Sequence, residues 1–455
     1  MNAWTETLIG IAHQAYAAGH LHQAESVLRL VLGRGARDAH ALYFIGHLAY
    51  LQGRLADAEA FLTAALDIAP DHANARNDLG ETLRAMGRNE DAIHQLERAV
   101  ALDPALGHAY GNLAAALVAV DRPDDALRWA QESLWRSADK AVAHADFGSI
   151  LGRLGRSREA LHQYKLALAL KPDDARTRYF ASLVRLGLGD MPAAWADHEA
   201  RLMLPLGVAG RRTCSQPRWR GQDGIRGRTI LLHAEQGLGD TIQFVRYAPM
   251  VAERGATVLL EVQPGLRPLL EGMPGVAAVF ETGETLPAFD LRCPLMSLPA
   301  AFRTGPGTIP AATPYLAVRQ DRMRAWERRL KPGRRPRMGF AWSGNPGHAS
   351  DRARSVPLAD LARVLGRRDI AWHVVQRDMR PDDRAVLARI GGMHDHSGAL
   401  ADFGETAALV SLMDLVVTVD TAVAHLAGAL GKPVWLLLAH APDWRWMQGR
   451  ADSPW

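Results

Sequence analysis

The chain has 455 residues, of which 48% are hydrophobic and 22% are charged, as is ordinary for a globular protein of several domains. Its 53 basic and 49 acidic residues leave a net charge of +4, too small over this length to indicate a nucleic-acid partner. Two cysteines without metal-ligand spacing, Cys214 and Cys293, indicate free thiols in a reducing compartment. Residues 1–10 contain Glu6, and no apolar run approaches a membrane span, so we expect a cytoplasmic protein without signal peptide or transmembrane segment.

A period of 34 residues runs through the N-terminal part of the chain. Apolar residues recur at this interval, and each is followed by a small residue. The apolar positions are Ile11, Ile45, Leu79, Leu113, Phe147 and Ala181, and the small ones are Ala12, Gly46, Gly80, Ala114, Gly148 and Ser182. This period is typical of the tetratricopeptide repeat (TPR), a helical hairpin whose helices cross closely at small residues. Residues 1–205 are therefore predicted to form an all-α TPR superhelix of five repeats and a partial sixth.

Polar residues occupy matching phases of the first helix in successive repeats. They are Asn74, Asp78, Asn112 and Asp146. Stacked repeats form a concave face that suits extended peptides. If these phases face that groove, the side chains hydrogen-bond the backbone of a protein or peptide partner; the alternative is a solvated helix face.

From Thr229 the pattern changes to short apolar strands that alternate with helices. This alternation indicates parallel, doubly wound α/β sheets. The basic stretch 331–336 contains two prolines and is typical of a linker, and a second α/β series begins at Met338. We expect two Rossmann-like lobes, residues 206–320 and residues 321–455, with a cleft between them. Such a cleft suits a transferase that holds its donor on one lobe and its acceptor on the other.

The stretch Asp414–Leu438 is predicted to fold as strand, turn, helix and strand. Asp420 and Thr421 stand between the first strand and a helix of small residues, where either side chain can cap the helix. A helix N-terminus at the carboxyl end of a parallel strand offers free N–H groups and a partial positive charge to a phosphate. An ordinary capped βαβ unit explains the same residues. His425 lies one turn further on, where it either contacts the ligand or packs in the core.

A glycine turn precedes Asp240 in the first lobe. Gly237 and Gly239 follow a buried strand and allow a tight turn and close approach of the backbone to a substrate. The turn opens a single helix that is predicted over residues 241–254 and ends at Gly255. Asp240 is then either a general base that deprotonates an acceptor hydroxyl or a helix cap.

A polar loop, Ser343-Gly344-Asn345-Pro346-Gly347-His348, follows the first strand of the second lobe. Its backbone N–H groups are predicted to cradle a diphosphate that Arg354 neutralises, with a solvated basic loop as the alternative. Gln376 ends a strand and is expected to line the base pocket. His394, Asp395 and His396 are adjacent in sequence and cannot easily converge on one ion, so we reject a zinc site and expect no metal.

Two segments carry a family resemblance. Residues 233–244, HAEQGLGDTIQF, and residues 419–428, VDTAVAHLAG, resemble bacterial TPR proteins with a glycosyltransferase family 9 domain, the family of the heptosyltransferases. The resemblance implies the GT-B fold of two Rossmann-like lobes and an inverting enzyme that needs neither metal nor cofactor. It implies Asp240 as the base, Arg354 in place of a phosphate-binding lysine, and Asp420, Thr421 and His425 as the donor-nucleotide motif.

The domain order is also similar to that of O-GlcNAc transferases, in which repeats precede a GT-B core. The resemblance further implies that the second lobe is incomplete at its C-terminus, because the family's last helix braces the first lobe. The leading hypothesis is transfer of a sugar from a nucleotide-diphosphate sugar to an acceptor hydroxyl, with the repeats recruiting the acceptor or a partner protein. The alternative is a TPR interaction scaffold with an inactive GT-B domain. The sugar, the base and the acceptor do not follow from the sequence.

Overall fold

The computed structural model describes residues 3–33, 38–204, 214–222, 224–330, 332–345, 351–366 and 369–455. Contacts divide the chain into two compact units, Met1–Val184 and Arg185–Trp455. The predicted domain boundary near residue 206 lies outside the described residues, as do residues 346–348 of the polar loop, and the predicted domain limits stay predictions.

The first unit consists of antiparallel helix pairs, which confirms the predicted all-α repeat. In chain order the helices are α1 (Ala3–Ala17), α2 (Leu21–Leu32), α3 (Ala39–Leu51), α4 (Leu55–Ile68), α5 (Ala73–Ala85), α6 (Asn89–Leu102), α7 (Gly107–Ala119), α8 (Pro123–Arg136), α9 (Lys140–Arg153), α10 (Ser157–Leu170) and α11 (Ala175–Gly187). Each odd-numbered helix up to α9 packs on the next one to form a hairpin.

Small residues let the helices of each hairpin cross closely, as the period predicts. A Cβ at Gly46 would lie 2.7 Å from Cγ of Leu62, and one at Gly80 would lie 2.6 Å from Cγ of Leu96. Both leucines are fully buried. Because interiors are close-packed, a larger residue at either glycine would force the two helices apart.

The second unit contains two parallel sheets, which confirms the predicted α/β architecture and fits a two-lobed GT-B-like fold. The first sheet has the order β3-β2-β1-β4 and the second the order β7-β6-β5-β8-β9. The strands are β1 (Thr229–His233), β2 (Thr257–Val262), β3 (Val276–Glu281), β4 (Leu291–Pro294), β5 (Arg337–Ala341), β6 (Ala371–Val374), β7 (Met393–Asp395), β8 (Leu415–Val419) and β9 (Val434–Leu437). Strands β1 and β8 lie inside their sheets and are buried along most of their length.

One helix precedes these strands, and the others lie between them. They are α12 (Met191–His198), α13 (Leu238–Phe244), α14 (Ala248–Glu253), α15 (Arg267–Leu270), α16 (Leu298–Ala301), α17 (Gln320–Arg329), α18 (Asp351–Arg354), α19 (Leu358–Leu365), α20 (Pro381–Ile390), α21 (Phe403–Ser411) and α22 (Ala422–Ala429). Short 3-10 helices cover Glu199–Met203, Val245–Tyr247, Leu295–Ser297, Ser397–Ala399 and Trp444–Trp446.

One helix is shorter than the sequence pattern indicates. Residues 241–254 are predicted as a single helix, but a 3-10 turn at Val245–Tyr247 separates α13 from α14. Pro249 lacks a backbone N–H and cannot continue the α-helical ladder through this point. Among the helices in the described ranges, none combines the length and apolarity that a bilayer crossing requires.

Candidate functional site

Gly239 brings the turn after β1 into contact with helix α22. A Cβ at Gly239 would lie 2.7 Å from Cδ2 of His425 and 3.3 Å from Cα of Ala422. Any side chain here would separate the two elements. The two motifs that carry the family resemblance therefore lie side by side, although they belong to different sheets.

Asp240 uses both of its carboxylate oxygens. Oδ2 accepts a hydrogen bond of 2.8 Å from the backbone N–H of Gly237, and Oδ1 accepts one from Nη2 of Arg445. The first contact is the helix-capping interaction that the sequence offered as the alternative to a base. Each carboxylate oxygen keeps a second lone pair, so capping does not prevent proton transfer. The role of Asp240 as a base stays a prediction.

Arg445 is the residue of this site that the sequence analysis missed. Its side chain is 9% exposed, its Nε donates to Oε1 of Gln243 at 2.8 Å, and its Nη1 donates to Oδ1 of Asp443 at 2.8 Å. Burial alone lowers the pKa of Arg445, but the charges of Asp240 and Asp443 outweigh burial and raise it. The sequence signal that could have found this residue is an arginine between two tryptophans in Trp444–Trp446.

The start of α22 has the predicted capped geometry. Thr421 is the N-cap residue, its Oγ1 accepts a hydrogen bond from the N–H of Val423 at 3.3 Å, and it lies 3.2 Å from Oγ1 of Thr418. Burial and the carboxylate of Asp443 raise the pKa of Asp420 to about 6. Near neutral pH, Asp420 thus carries a proton part of the time and can either donate or accept a hydrogen bond.

Arg354 lies directly over Gly344 of the polar loop. A Cβ at Gly344 would lie 2.8 Å from Nη2 and 2.9 Å from Nε of Arg354. This Nε is buried and has no hydrogen-bond partner within the described part of the chain, and its nearest carboxylate oxygen, Oδ1 of Asp351, is 4.0 Å away. The charge of Arg354 also acts on Asp420. A guanidinium with an unsatisfied N–H in this position can bind an oxyanion.

Gln376 holds the polar loop in place. Its Oε1 accepts hydrogen bonds of 3.1 Å from the N–H groups of Trp342 and Ser343, and its Nε2 donates to Oγ of Ser343 at 2.7 Å and to the carbonyl of Asp378 at 2.8 Å. A contact with a nucleobase would have to replace one of these bonds. The expected role of Gln376 in the base pocket stays a prediction, as does that of Asn345 in the phosphate cradle.

His425 is packed on both sides. Its ring stacks on Trp446 with centroids 5.0 Å apart, and Gly239 lies against its edge. Burial, with the nearby charge of Arg445, lowers the pKa of His425 to about 3, so the imidazole is neutral at physiological pH. The side chain is half-buried and held by these contacts, and the predicted ligand contact of His425 stays a prediction.

Two of the polar residues predicted to line the peptide groove, Asp78 and Asn112, already contact other polar side chains of the repeats. Oδ2 of Asp78 lies 2.8 Å from Nδ1 of His47, Oδ1 of Asp78 accepts from Asn77 at 3.0 Å, and Oδ1 of Asn77 accepts from Nδ2 of Asn112 at 2.9 Å. This chain links α3, α5 and α7. In the same unit, Asn74 is exposed and Asp146 is half-buried. Peptide binding by these residues stays a prediction.

His394 and His396, two of the residues rejected as zinc ligands, stack with the ring of His373. The rings of His373 and His396 are nearly parallel, at 8°, and Nδ1 of His373 lies 3.0 Å from Nε2 of His396. In the described ranges, no group of three or more histidine, cysteine, aspartate or glutamate side chains is arranged to hold a metal ion.

Profiles of known families match segments in both parts of the chain. Tetratricopeptide repeat profiles match residues 37–105, 77–142 and 146–202. The profile of glycosyltransferase family 9 (heptosyltransferase) matches residues 389–446, which include Asp420, Thr421, His425 and Arg445. The chain thus combines TPR repeats with a glycosyltransferase family 9 segment, as the resemblance implies.

One curated relative aligns with more than half of the chain. The chain is 26% identical over 341 residues to Protein FlbA of Caulobacter vibrioides, in an alignment that covers 70% of this chain and 56% of FlbA. The chain therefore spans little more than half the length of this relative. Similar solved structures include a thermophilic TPR protein from Thermus thermophilus, at 20% identity over 40% of this chain and 99% of that one, with a TM-score of 0.37. MamA from Desulfovibrio magneticus is also 20% identical, over 38% of this chain and 98% of that one, with a TM-score of 0.33.

Proposed function

We propose that this protein transfers a sugar from a nucleotide-diphosphate sugar to an acceptor hydroxyl, and that its repeats recruit the acceptor or a partner protein. The observation that carries the proposal is the close approach of Gly239 to His425 and Ala422. This contact brings the turn that carries Asp240 against the first turn of α22, which lies in the family 9 segment.

The donor diphosphate is proposed to bind at the start of α22. The N-terminal end of this helix carries a partial positive charge that attracts an anion, and Arg354 has a buried N–H without a partner among the described residues. The loop backbone at Gly344 is held close to the same guanidinium. These groups compensate the charge of a diphosphate, so the proposed reaction needs no metal ion.

In the proposed reaction, Asp240 accepts the proton of the acceptor hydroxyl as the hydroxyl oxygen attacks the anomeric carbon. The bond between that carbon and the diphosphate oxygen breaks, and its electron pair leaves with the diphosphate. Attack from the face opposite the leaving group inverts the configuration of the sugar. Arg354 and the N–H groups of α22 stabilise the charge that develops on the leaving diphosphate.

The test is a transfer assay with a panel of nucleotide-diphosphate sugars, together with calorimetry of UDP, GDP and ADP binding. We expect one nucleotide family to bind and to support transfer. Asp240→Asn should abolish transfer and leave nucleotide binding within about threefold, because the amide keeps the shape of the carboxylate but is not a base. Asp452→Asn, a change at an exposed side chain, is the matched control. Transfer by Asp240→Asn at the wild-type rate would exclude Asp240 as the base.

A scaffold with an inactive transferase domain is the second candidate. It is favoured by the occupancy of both oxygens of Asp240 and of the whole amide of Gln376 by protein groups. If no nucleotide of the panel binds, and the repeats still capture a protein partner, the scaffold is the better description.

A further inference from the structure

We infer that Arg445 is a positioning residue for Asp240, an inference that rests on the proposed transfer reaction. Arg445 follows β9 of the second sheet, whereas Asp240 belongs to α13, which follows β1 of the first sheet. The pair therefore connects the proposed base to the segment that also carries Asp443 and Trp446 beside the proposed donor site.

The guanidinium of Arg445 is fixed on every side. Its N–H groups donate to Asp240, to Oε1 of Gln243 at 2.8 Å and to Oδ1 of Asp443 at 2.8 Å. Its central carbon lies 4.5 Å from the ring centroid of Trp444. The planar guanidinium has three hydrogen-bond partners and an aromatic ring beside it. Any rotation would therefore break several contacts at once.

This fixed guanidinium constrains Asp240 in turn. Gly237 holds one carboxylate oxygen from the backbone and Arg445 holds the other, so the side chain has one orientation. The Asp240 side chain is 19% exposed, so these contacts orient a carboxylate that solvent, and hence an acceptor hydroxyl, can still reach. Arg445 would act on the reaction through Asp240 and not by touching substrate.

Other charged groups surround this pair. Burial raises the pKa of Glu235, in the turn after β1, and the charge of Asp240 adds to that rise. Asp443 is bonded to Arg445, and the charge of Asp420, after β8, acts on the same guanidinium. His425 of α22 is neutral because its pKa is lowered to about 3.

The test uses the full chain and compares Arg445→Met with Arg445→Lys. Arg445→Met removes all the hydrogen bonds of the guanidinium, so we expect kcat to fall about 100-fold as Asp240 loses its fixed orientation. Arg445→Lys keeps the charge without the fork, so it should restore part of the activity, and kcat should fall only about tenfold. Donor KM should stay within about threefold in both, since the pair does not contact the diphosphate.

Arg450→Gln is the matched control, because Arg450 lies on the same segment and pairs with exposed Asp452. It should leave kcat and donor KM unchanged. If Arg445→Met does not fold, Arg445→Lys decides alone, and a wild-type kcat in that variant overturns the inference. A folded Arg445→Met with a wild-type kcat overturns it as well. Absence of transfer in the wild-type chain with every donor overturns the proposed function and this inference together, whereas an active wild type with unaffected variants overturns the inference alone.

Discussion

Gly239 and His425 approach so closely that no side chain fits between the turn after β1 and helix α22. A Cβ at Gly239 would lie 2.7 Å from Cδ2 of His425, and this imidazole is itself stacked on Trp446. The histidine ring therefore cannot yield without disturbing the aromatic contact behind it. The contact sets the distance between Asp240 and the start of α22.

Replacing Gly239 by alanine should lower both stability and activity. We expect a loss of about 1–3 kcal/mol in the free energy of unfolding from overpacking, and a fall in transfer rate of more than about tenfold as the two helices separate. Gly428→Ala is the control, because a Cβ at Gly428 meets nothing within 4 Å. That change should be neutral or stabilising, since alanine is the better helix former. Chemical denaturation measures the stability of the two variants, and the transfer assay measures their activity. If Gly239→Ala were as stable and as active as Gly428→Ala, the contact at Gly239 would not be tight.

Replacing Arg354 by glutamine should weaken binding of nucleoside diphosphate about 10–100-fold, because the change removes a charge-assisted hydrogen bond to phosphate. Binding of the nucleoside without phosphates should not change. Arg377→Gln is the control, since Arg377 is exposed and pairs with the adjacent Asp378. Calorimetry with both ligands on both variants gives the answer, and equal losses for nucleoside and nucleoside diphosphate would place Arg354 away from the phosphates.

Asp420 should make the protein less stable as the pH rises. Its pKa is raised from 3.8 to about 6, so folding favours its protonated form. Between pH 3.8 and pH 6 the unfolded chain loses this proton first, and above pH 6 the ionised folded state costs on the order of 3 kcal/mol. Asp420→Asn should therefore stabilise the chain at pH 7.5 and give little gain at pH 4. Denaturation curves of both proteins across this range measure the difference, and a constant difference would contradict the assignment.

Asn112 and Asp146 should differ in how much they contribute to the stability of the repeats. Asn112 donates to Asn77, which is buried, so Asn112→Ala should cost about 1–3 kcal/mol by leaving that amide oxygen unpaired. Asp146 is half-buried, and its nearest cation, Arg176, is 3.7 Å away, so Asp146→Ala should change stability by less than about 1 kcal/mol.

Partner capture then tests the groove. A protein or peptide partner that binds through these phases should bind Asp146→Ala more weakly, at unchanged helix content. Denaturation of the full chain and pull-down of partners separate the two effects. Capture by Asp146→Ala equal to that of the wild type would remove Asp146 from the groove.

Much of the fold could be predicted because it depends on local patterns. The 34-residue period alone indicated hairpins that pack at Gly46 and Gly80, since each contact is made within one repeat. The cap at Thr421 followed from the order of a strand, a polar residue and a run of small residues. The break between α13 and α14 was missed, although Pro249 gave the signal.

The sequence by itself determined the repeats, the two parallel sheets and the turns that carry Asp240 and Thr421, because helix and strand periods and caps act over a few residues. Only the tertiary structure decided that Arg445 holds Asp240 across 205 residues, that Arg354 covers Gly344, and that the amide of Gln376 is satisfied by the polar loop. These partners are chosen by packing between distant elements and by the need of buried polar groups for hydrogen bonds, and neither leaves a periodic mark in the chain.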